Sequence, residues 1–97
     1  MSPETLDEVK LFIRICHSKL DSSIKSDIDS CLGDLQVHGI TYKDDTDPLI
    51  LNAIKLWCKA IYIDDEVKAA EYLKRYYALR DCLKSAEGYG WEAVGDE

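Results

Sequence analysis

The sequence predicts an all-α protein, a small four-helix bundle with a flexible loop between helices 2 and 3 and an extended C-terminal tail. Apolar residues recur at spacings of three and four in four separate stretches, which is the period of an α-helix. No stretch alternates apolar and polar residues over the length of a strand. The chain has 97 residues, a length that fits a single domain with a modest core.

Helix 1 is predicted over residues 4–16. Ser2 and Pro3 offer a cap followed by proline in the first turn, and Thr5 with Glu8 three residues later matches a capping box. Both signals lead into the same amphipathic stripe. The stripe consists of Leu6, Val9, Phe12, Ile13 and Cys16.

Helix 2 is predicted over residues 21–37, followed by a loop over residues 39–47. Asp21 and the two serines after it are capping side chains for the helix start. Gly39 stands just past the predicted end, where a left-handed C-terminal cap is common. The apolar stripe of this helix consists of Leu20, Ile24, Ile28, Cys31, Leu32 and Leu35.

Helix 3 is predicted to begin at Asp47 and Pro48, because Asp caps free backbone amides and proline at the first helical position gives up no needed hydrogen bond. Its polar strip is narrow, so the helix is expected to be buried on most sides and to form the centre of the bundle. Trp57 lies among its apolar positions and is predicted to be a core residue. The polar strip consists of Asn52, Lys55 and Lys59.

Helix 4 is predicted over residues 65–86. The acidic residues 64–66 match the positive end of a helix dipole at its start. Apolar and aromatic residues then continue at helical spacing. They are Ala69, Tyr72, Leu73, Tyr76, Leu79, Leu83 and Ala86.

Glycines at 88 and 90 end the helical pattern, which divides the chain into a helical domain, residues 1–87, and a docking tail, residues 88–97. Large aromatic residues in an acidic, glycine-broken segment have no helix to bury them, and such residues are frequent interface anchors. Tyr89, Trp91 and Val94 are therefore the candidate partner-binding residues. Packing of this tail onto its own domain is the alternative.

The charge balance disfavours a protein that grips nucleic acid through a basic surface. The chain has twelve Lys and Arg residues and nineteen Asp and Glu residues, for a net charge of −7. The apolar runs are far shorter than the roughly 20 residues of a membrane span. The N-terminus lacks a basic segment followed by an apolar one, so we expect no signal peptide and a cytosolic protein.

The four cysteines are too far apart in sequence for a zinc knuckle or a Cys-x-x-Cys redox centre. Each lies on the apolar stripe of a predicted helix, where a reduced thiol behaves as a small hydrophobic group. The sequence thus predicts four buried, reduced thiols. They are Cys16, Cys31, Cys58 and Cys82.

No catalytic, cofactor or metal site is predicted, and the chain is not expected to be an enzyme. Cys16 and His17 point about 100° apart on a helix and do not form a nucleophile and base pair. His17 and His38 each follow a predicted helix end, where histidine commonly caps the last carbonyls. The aspartates lack EF-hand spacing, and no glycine-rich phosphate loop occurs.

Four segments resemble the small head-tail connector, or DNA-packaging, proteins of tailed bacteriophages. The resemblance covers roughly residues 4–91 and consists of helix patterns without a catalytic signature. The segments are residues 6–10 (LDEVK), 47–57 (DPLILNAIKLW), 72–83 (YLKRYYALRDCL) and 88–91 (GYGW).

The resemblance implies a structural adaptor at the head-tail interface of a virion, present in the host cytoplasm during assembly. Such proteins form rings, commonly of twelve copies, beneath the portal protein. The ring extends the DNA channel, through which DNA passes without specific binding, and provides a platform for a stopper or tail-completion protein. The tail residues Tyr89, Trp91 and Val94 are then expected to dock on the portal. The alternative is an acidic cytosolic helical module that binds and inhibits a single protein partner.

Overall fold

A computed structural model describes residues 3–40 and 47–85 and contains four α-helices, which confirms the all-α, four-helix arrangement. The expected flexible loop lies largely in residues 41–46 and the expected tail in residues 86–97, both outside the described residues. The helices are α1 (Pro3–Ile13), α2 (Asp21–Val37), α3 (Pro48–Tyr62) and α4 (Glu66–Ser85).

Helix α3 is the centre of the bundle, as its narrow polar strip predicted, because it packs against each of the other three helices. It contributes four buried residues to the core, more than the shorter α1 or the longer α4. Trp57, predicted to be a core residue, packs against this core from its margin and is partly buried. The four core residues of α3 are Ile50, Ala53, Ile54 and Cys58.

Side-chain contacts fix the direction of the helices. Glu8 meets Lys55 and Phe12 meets Lys59, so α1 and α3 run parallel. Asp27 meets Tyr62, whereas the later residues of α2 meet α4, so α2 runs opposite to α3. Helix α4 follows α3 after a short turn and runs back along it. One end of the bundle therefore contains the N-termini of α1 and α3 and the C-termini of α2 and α4.

Helix α1 ends at Ile13, three residues earlier than predicted. Arg14 adopts a left-handed conformation with φ of 62°. The Ile15 amide bonds the Lys10 carbonyl at 2.9 Å and the Arg14 amide bonds the Leu11 carbonyl at 3.2 Å, which together form a Schellman motif. The chain turns away before Cys16, which is consequently exposed rather than buried.

Helix α2 ends with the same motif, here at the predicted glycine. Gly39 has φ of 79°, its amide bonds the Gln36 carbonyl at 3.0 Å, and the Ile40 amide bonds the Leu35 carbonyl at 3.0 Å. The residue after the turn, Ile40, is buried in the core. Hydrophobic burial of the chain just past the helix thus accompanies the cap, as is common for this motif.

The helix starts agree with the sequence for α3 and α4. The Asp47 carboxylate accepts hydrogen bonds from the Leu49 amide at 3.0 Å and the Ile50 amide at 3.5 Å. Asp65 similarly caps α4 by accepting from the Val67 amide at 2.9 Å. The expected cap of α2 is different, because Asp21 and the serines after it lie inside the helix and the preceding residue makes no side-chain cap.

Candidate functional site

A groove of about 380 Å³ lies between α1 and α4, with α3 at its base. Three cations and one carboxylate line it together with two aromatic rings and an exposed leucine, which gives it a net positive charge within a chain of net charge −7. We refer to it as the cationic groove. Its lining residues are Glu8, Leu11, Phe12, Arg14, Lys55, Lys59 and Tyr72.

The base of the groove is formed by two lysines one helical turn apart on α3. Lys55 Nζ lies 3.2 Å from Glu8 Oε1, and Lys59 Nζ donates to the Phe12 carbonyl oxygen at 3.3 Å. Both ammonium groups lie over the Phe12 ring, at 5.9 and 5.6 Å from its centroid. Because each ammonium has three donors, these single contacts leave further donors for a partner.

The far wall of the groove is Tyr72 on α4. Its ring meets Phe12 edge to face, with centroids 6.5 Å apart and an interplanar angle of 83°. Arg75 lies 5.5 Å from the Tyr72 ring centroid and adds a cation beside the wall. The two aromatic rings thus connect α1 and α4 across the lysines, and each has a cation close to its face.

Arg14 supplies the third cation of the groove, from the left-handed position that ends α1. A non-glycine residue in this conformation is uncommon and costs free energy. The chain places glycine at the corresponding position of α2, Gly39. A bulky cationic side chain is therefore held at the groove in a backbone conformation that glycine adopts more easily.

A second polar cluster connects α2 with α4. Asp34 Oδ2 accepts from the Tyr76 hydroxyl at 2.6 Å and from Arg80 Nη1 at 2.9 Å. Partial burial acts to raise the pKa of Asp34, but the hydrogen bonds from Tyr76 and Arg80 outweigh burial and hold that pKa below 3.8. Burial and the Asp34 carboxylate both raise the pKa of Tyr76. Asp34 is thus a charged anchor that holds α4 to α2.

Most of the aspartates of α2 pair with side chains of the other helices. Asp21 pairs with Lys10 at 2.8 Å, Asp27 accepts from the Tyr62 hydroxyl at 2.6 Å, and Asp34 pairs with Arg80. Asp29 alone among its carboxylates is exposed without a partner in the described part of the chain. The acidic composition of this helix therefore does not produce a strongly acidic outer surface.

The thiols divide into two classes. Cys31 and Cys58 are buried, as predicted, and burial raises the pKa of Cys58 to about 12. Cys16 and Cys82 are exposed, so the prediction of four buried thiols was wrong for these two. Cys16 lies beyond the early end of α1, and Cys82 lies on the outer side of α4.

The predicted partner-binding residues Tyr89, Trp91 and Val94 lie outside the described residues. Histidine capping is confirmed for His38, whose Nδ1 donates to the Asp34 carbonyl oxygen at 2.8 Å. His17 instead accepts from the Lys19 amide at 3.2 Å.

Sequence reasoning missed the cationic groove. Lys55 and Lys59 were recognised as a polar strip, but the sequence does not state which helix that strip faces. Tyr72 was recognised as part of the apolar and aromatic stripe of helix 4, and the structure places it in a wall of the groove.

Among residues 3–40 and 47–85, no group of three or more His, Cys, Asp or Glu side chains could hold a metal ion. In the same described ranges, no helix has the length and apolar character needed to cross a membrane. Comparison of the chain with protein-family models, curated proteins and solved structures found no match.

Proposed function

We propose that the protein is a head-tail connector of a tailed bacteriophage, a structural subunit that forms a ring beneath the portal protein. The resemblance of its helix segments to that family, including residues 47–57 at the start of α3, supports this role. The small all-α bundle agrees with it. In the proposed virion the ring extends the DNA channel and receives a stopper or tail-completion protein on its far side.

Exposed aliphatic side chains at opposite ends of the bundle are the observation that carries the proposal. Val37, 81% exposed, and Leu49 lie at the end where α2 finishes and α3 begins. Ile61 and Val67, the latter 73% exposed, lie at the other end. A ring requires two unlike patches on each subunit, because its contacts are heterologous and close by rotation. The two ends of the bundle offer such a pair.

The charge of the chain suits a channel for DNA. Each subunit carries a net charge of −7, and the charge of a ring grows in proportion to its copy number. A channel wall that bears part of this charge repels the phosphates of the duplex. DNA then slides past without a site that holds it.

The experiment is a measurement of assembly, alone and with a portal. We expect light scattering after size exclusion to show oligomers that grow with protein concentration, and electron microscopy to show closed rings that attach to portal assemblies. Val37→Asp should reduce both, because it places a charge in an apolar contact. Ser30→Asp, which adds the same charge at an exposed position in the middle of α2, is the matched control and should assemble normally.

A protein that remains monomeric at all concentrations and does not bind portal contradicts the connector role. A stoichiometric complex with one partner, without rings, identifies it instead as an acidic regulatory module.

A further inference from the structure

The cationic groove combines exposed apolar side chains with positive charge. Leu11 on its rim is 76% exposed, and Phe12 at its wall is 37% exposed. The cations Arg14, Lys55 and Lys59 lie around these apolar groups. Such a surface favours a segment that carries both carboxylates and a large aromatic ring, since each then meets its complement.

Arg14 is a second, independent indication that the groove serves a purpose beyond folding. Its φ of 62° costs free energy that glycine would not incur, and the equivalent turn after α2 has glycine at this position, Gly39. Backbone strain of this kind clusters at functional sites. An Arg14→Gly substitution would remove the guanidinium from the groove and relieve the strain of the left-handed backbone.

The chain itself contains a segment with the required chemistry. Residues 87–97 (EGYGWEAVGDE) carry four carboxylates, no lysine or arginine, and two large aromatic side chains. We propose that the cationic groove of one copy binds this C-terminal segment of a neighbouring copy, with Trp91 against Phe12 and Tyr72 and the carboxylates beside Arg14 and the lysines. The inference rests on the proposed self-assembly of the connector and names a contact that is needed for it together with the apolar ends of the bundle.

Distance favours a neighbouring copy over the same chain. Tyr72 in the groove is thirteen residues before the end of α4 at Ser85, about 20 Å along the helix. Trp91 lies six residues beyond Ser85, so a fully extended return path spans at most about 20 Å. Docking in its own groove would therefore require a taut segment, whereas a neighbouring groove imposes no such limit.

Peptide binding tests the groove directly. A fluorescein-labelled peptide of residues 86–97 is titrated with full-length Trp91→Ala protein, and fluorescence anisotropy is recorded. The variant is used because its own C-terminal segment competes less well with the peptide for the groove. We expect saturable binding that falls at least about tenfold when the protein also carries Leu11→Asp or the peptide carries Trp91→Ala, since a buried interfacial Trp contributes strongly. Lys25→Ala removes an exposed cation on α2, away from the groove, and should leave binding unchanged.

Arg14→Gly separates binding from folding. We expect it to raise the melting temperature and to weaken peptide binding in the same protein, a combination that damage to the fold cannot produce. Absence of peptide binding, or equal binding by the wild-type groove and the Leu11→Asp groove, overturns the proposal.

Mixing two defective full-length chains tests the neighbouring-copy arrangement. Leu11→Asp retains its tail and loses its groove, whereas Trp91→Ala retains its groove and loses its tail anchor. Each alone should remain monomeric, and an equal mixture should form one-to-one heterodimers and nothing larger. A mixture that stays monomeric overturns the arrangement.

The inference and the proposed connector role fail in different ways. Rings that form and attach to portal with Trp91→Ala protein overturn the groove contact and leave the connector role intact. Loss of portal attachment by Trp91→Ala rings of normal size assigns the tail to the portal, which also overturns the inference. Peptide binding and heterodimers without any ring or portal attachment support the groove contact and contradict the connector role.

Discussion

At the residue scale, Arg14 and Gly39 occupy the same position of the same turn and differ in side chain. Replacing Arg14 by glycine relieves the left-handed backbone, and we expect the free energy of unfolding to rise by about 0.5 to 1 kcal/mol. Urea denaturation measures this as a higher midpoint with an unchanged slope. Gly39→Ala is the reciprocal control and should lower the midpoint; a lower midpoint for Arg14→Gly would show that the arginine stabilises the turn.

Asp34 gives the fold a defined dependence on pH. Its folded pKa is depressed, so its contribution to stability is complete above the ordinary value of 3.8 and is lost as the pH falls through the lower folded value. Asp34→Asn should flatten this acid limb and cost about 1 to 3 kcal/mol at neutral pH, because Arg80 loses a charged partner. Chemical denaturation across acidic pH measures both effects. Asp29→Asn, exposed on the same helix, is the matched control and should leave the stability at neutral pH unchanged.

The thiols provide a test of burial at single residues. Ellman's reagent should label Cys16 and Cys82 rapidly in the native protein, because both are exposed. Cys31 and Cys58 should react only after unfolding, since burial excludes the reagent and raises the pKa of both thiols. The denatured protein gives the reference value for all four reactive thiols. Rapid reaction of all four in native buffer would contradict the described core.

At the scale of the element, α2 contains a glycine that nothing in the bundle requires. A Cβ added at Gly33 meets no atom within 4 Å. Gly33→Ala should therefore stabilise the protein by about 1 kcal/mol through the helix propensity of alanine. Thermal unfolding followed by circular dichroism measures the expected rise in melting temperature, and a fall would reveal packing at this position.

The helix boundaries show what local sequence does and does not encode. The starts of α3 and α4 and the end of α2 were predicted, because Asp-Pro, an aspartate cap and a glycine each act through backbone chemistry alone. The end of α1 was not predicted, because no local sequence pattern marks Arg14 for a left-handed turn. That turn depends on Ile15 packing against the core.

The candidate site was less predictable than the helices. Lys55 and Lys59 were recognised as a polar strip, but the groove exists only because α1 and α4 lie on both sides of that strip. This arrangement depends on which face of α3 each helix covers. The inward direction of the α2 carboxylates escaped prediction for the same reason, since their partners Lys10, Tyr62 and Arg80 are distant in sequence.

At the scale of the whole molecule, the proposed contact of the cationic groove with the tail segment of a neighbouring copy is partly electrostatic. Salt screens exposed charges, so the dissociation constant for self-association should rise severalfold between about 0.05 M and about 0.5 M sodium chloride. Sedimentation velocity measures this shift. Association that strengthens with salt would instead assign the main contact to the apolar ends of the bundle, where Val37→Asp is the diagnostic variant.

The pairing of α1 with α3 has a consequence for synthesis on the ribosome. Glu8 and Phe12 contact residues 47 positions later in the chain. At about 5 to 20 residues per second, α1 waits roughly 2 to 9 seconds before its partner has been translated. During that interval α1 has only α2 to pack against. Helices α3 and α4, joined by a short turn, can instead pair almost as soon as both emerge. The first helix to be made is thus completed late, and one wall of the groove forms only with the final stages of folding.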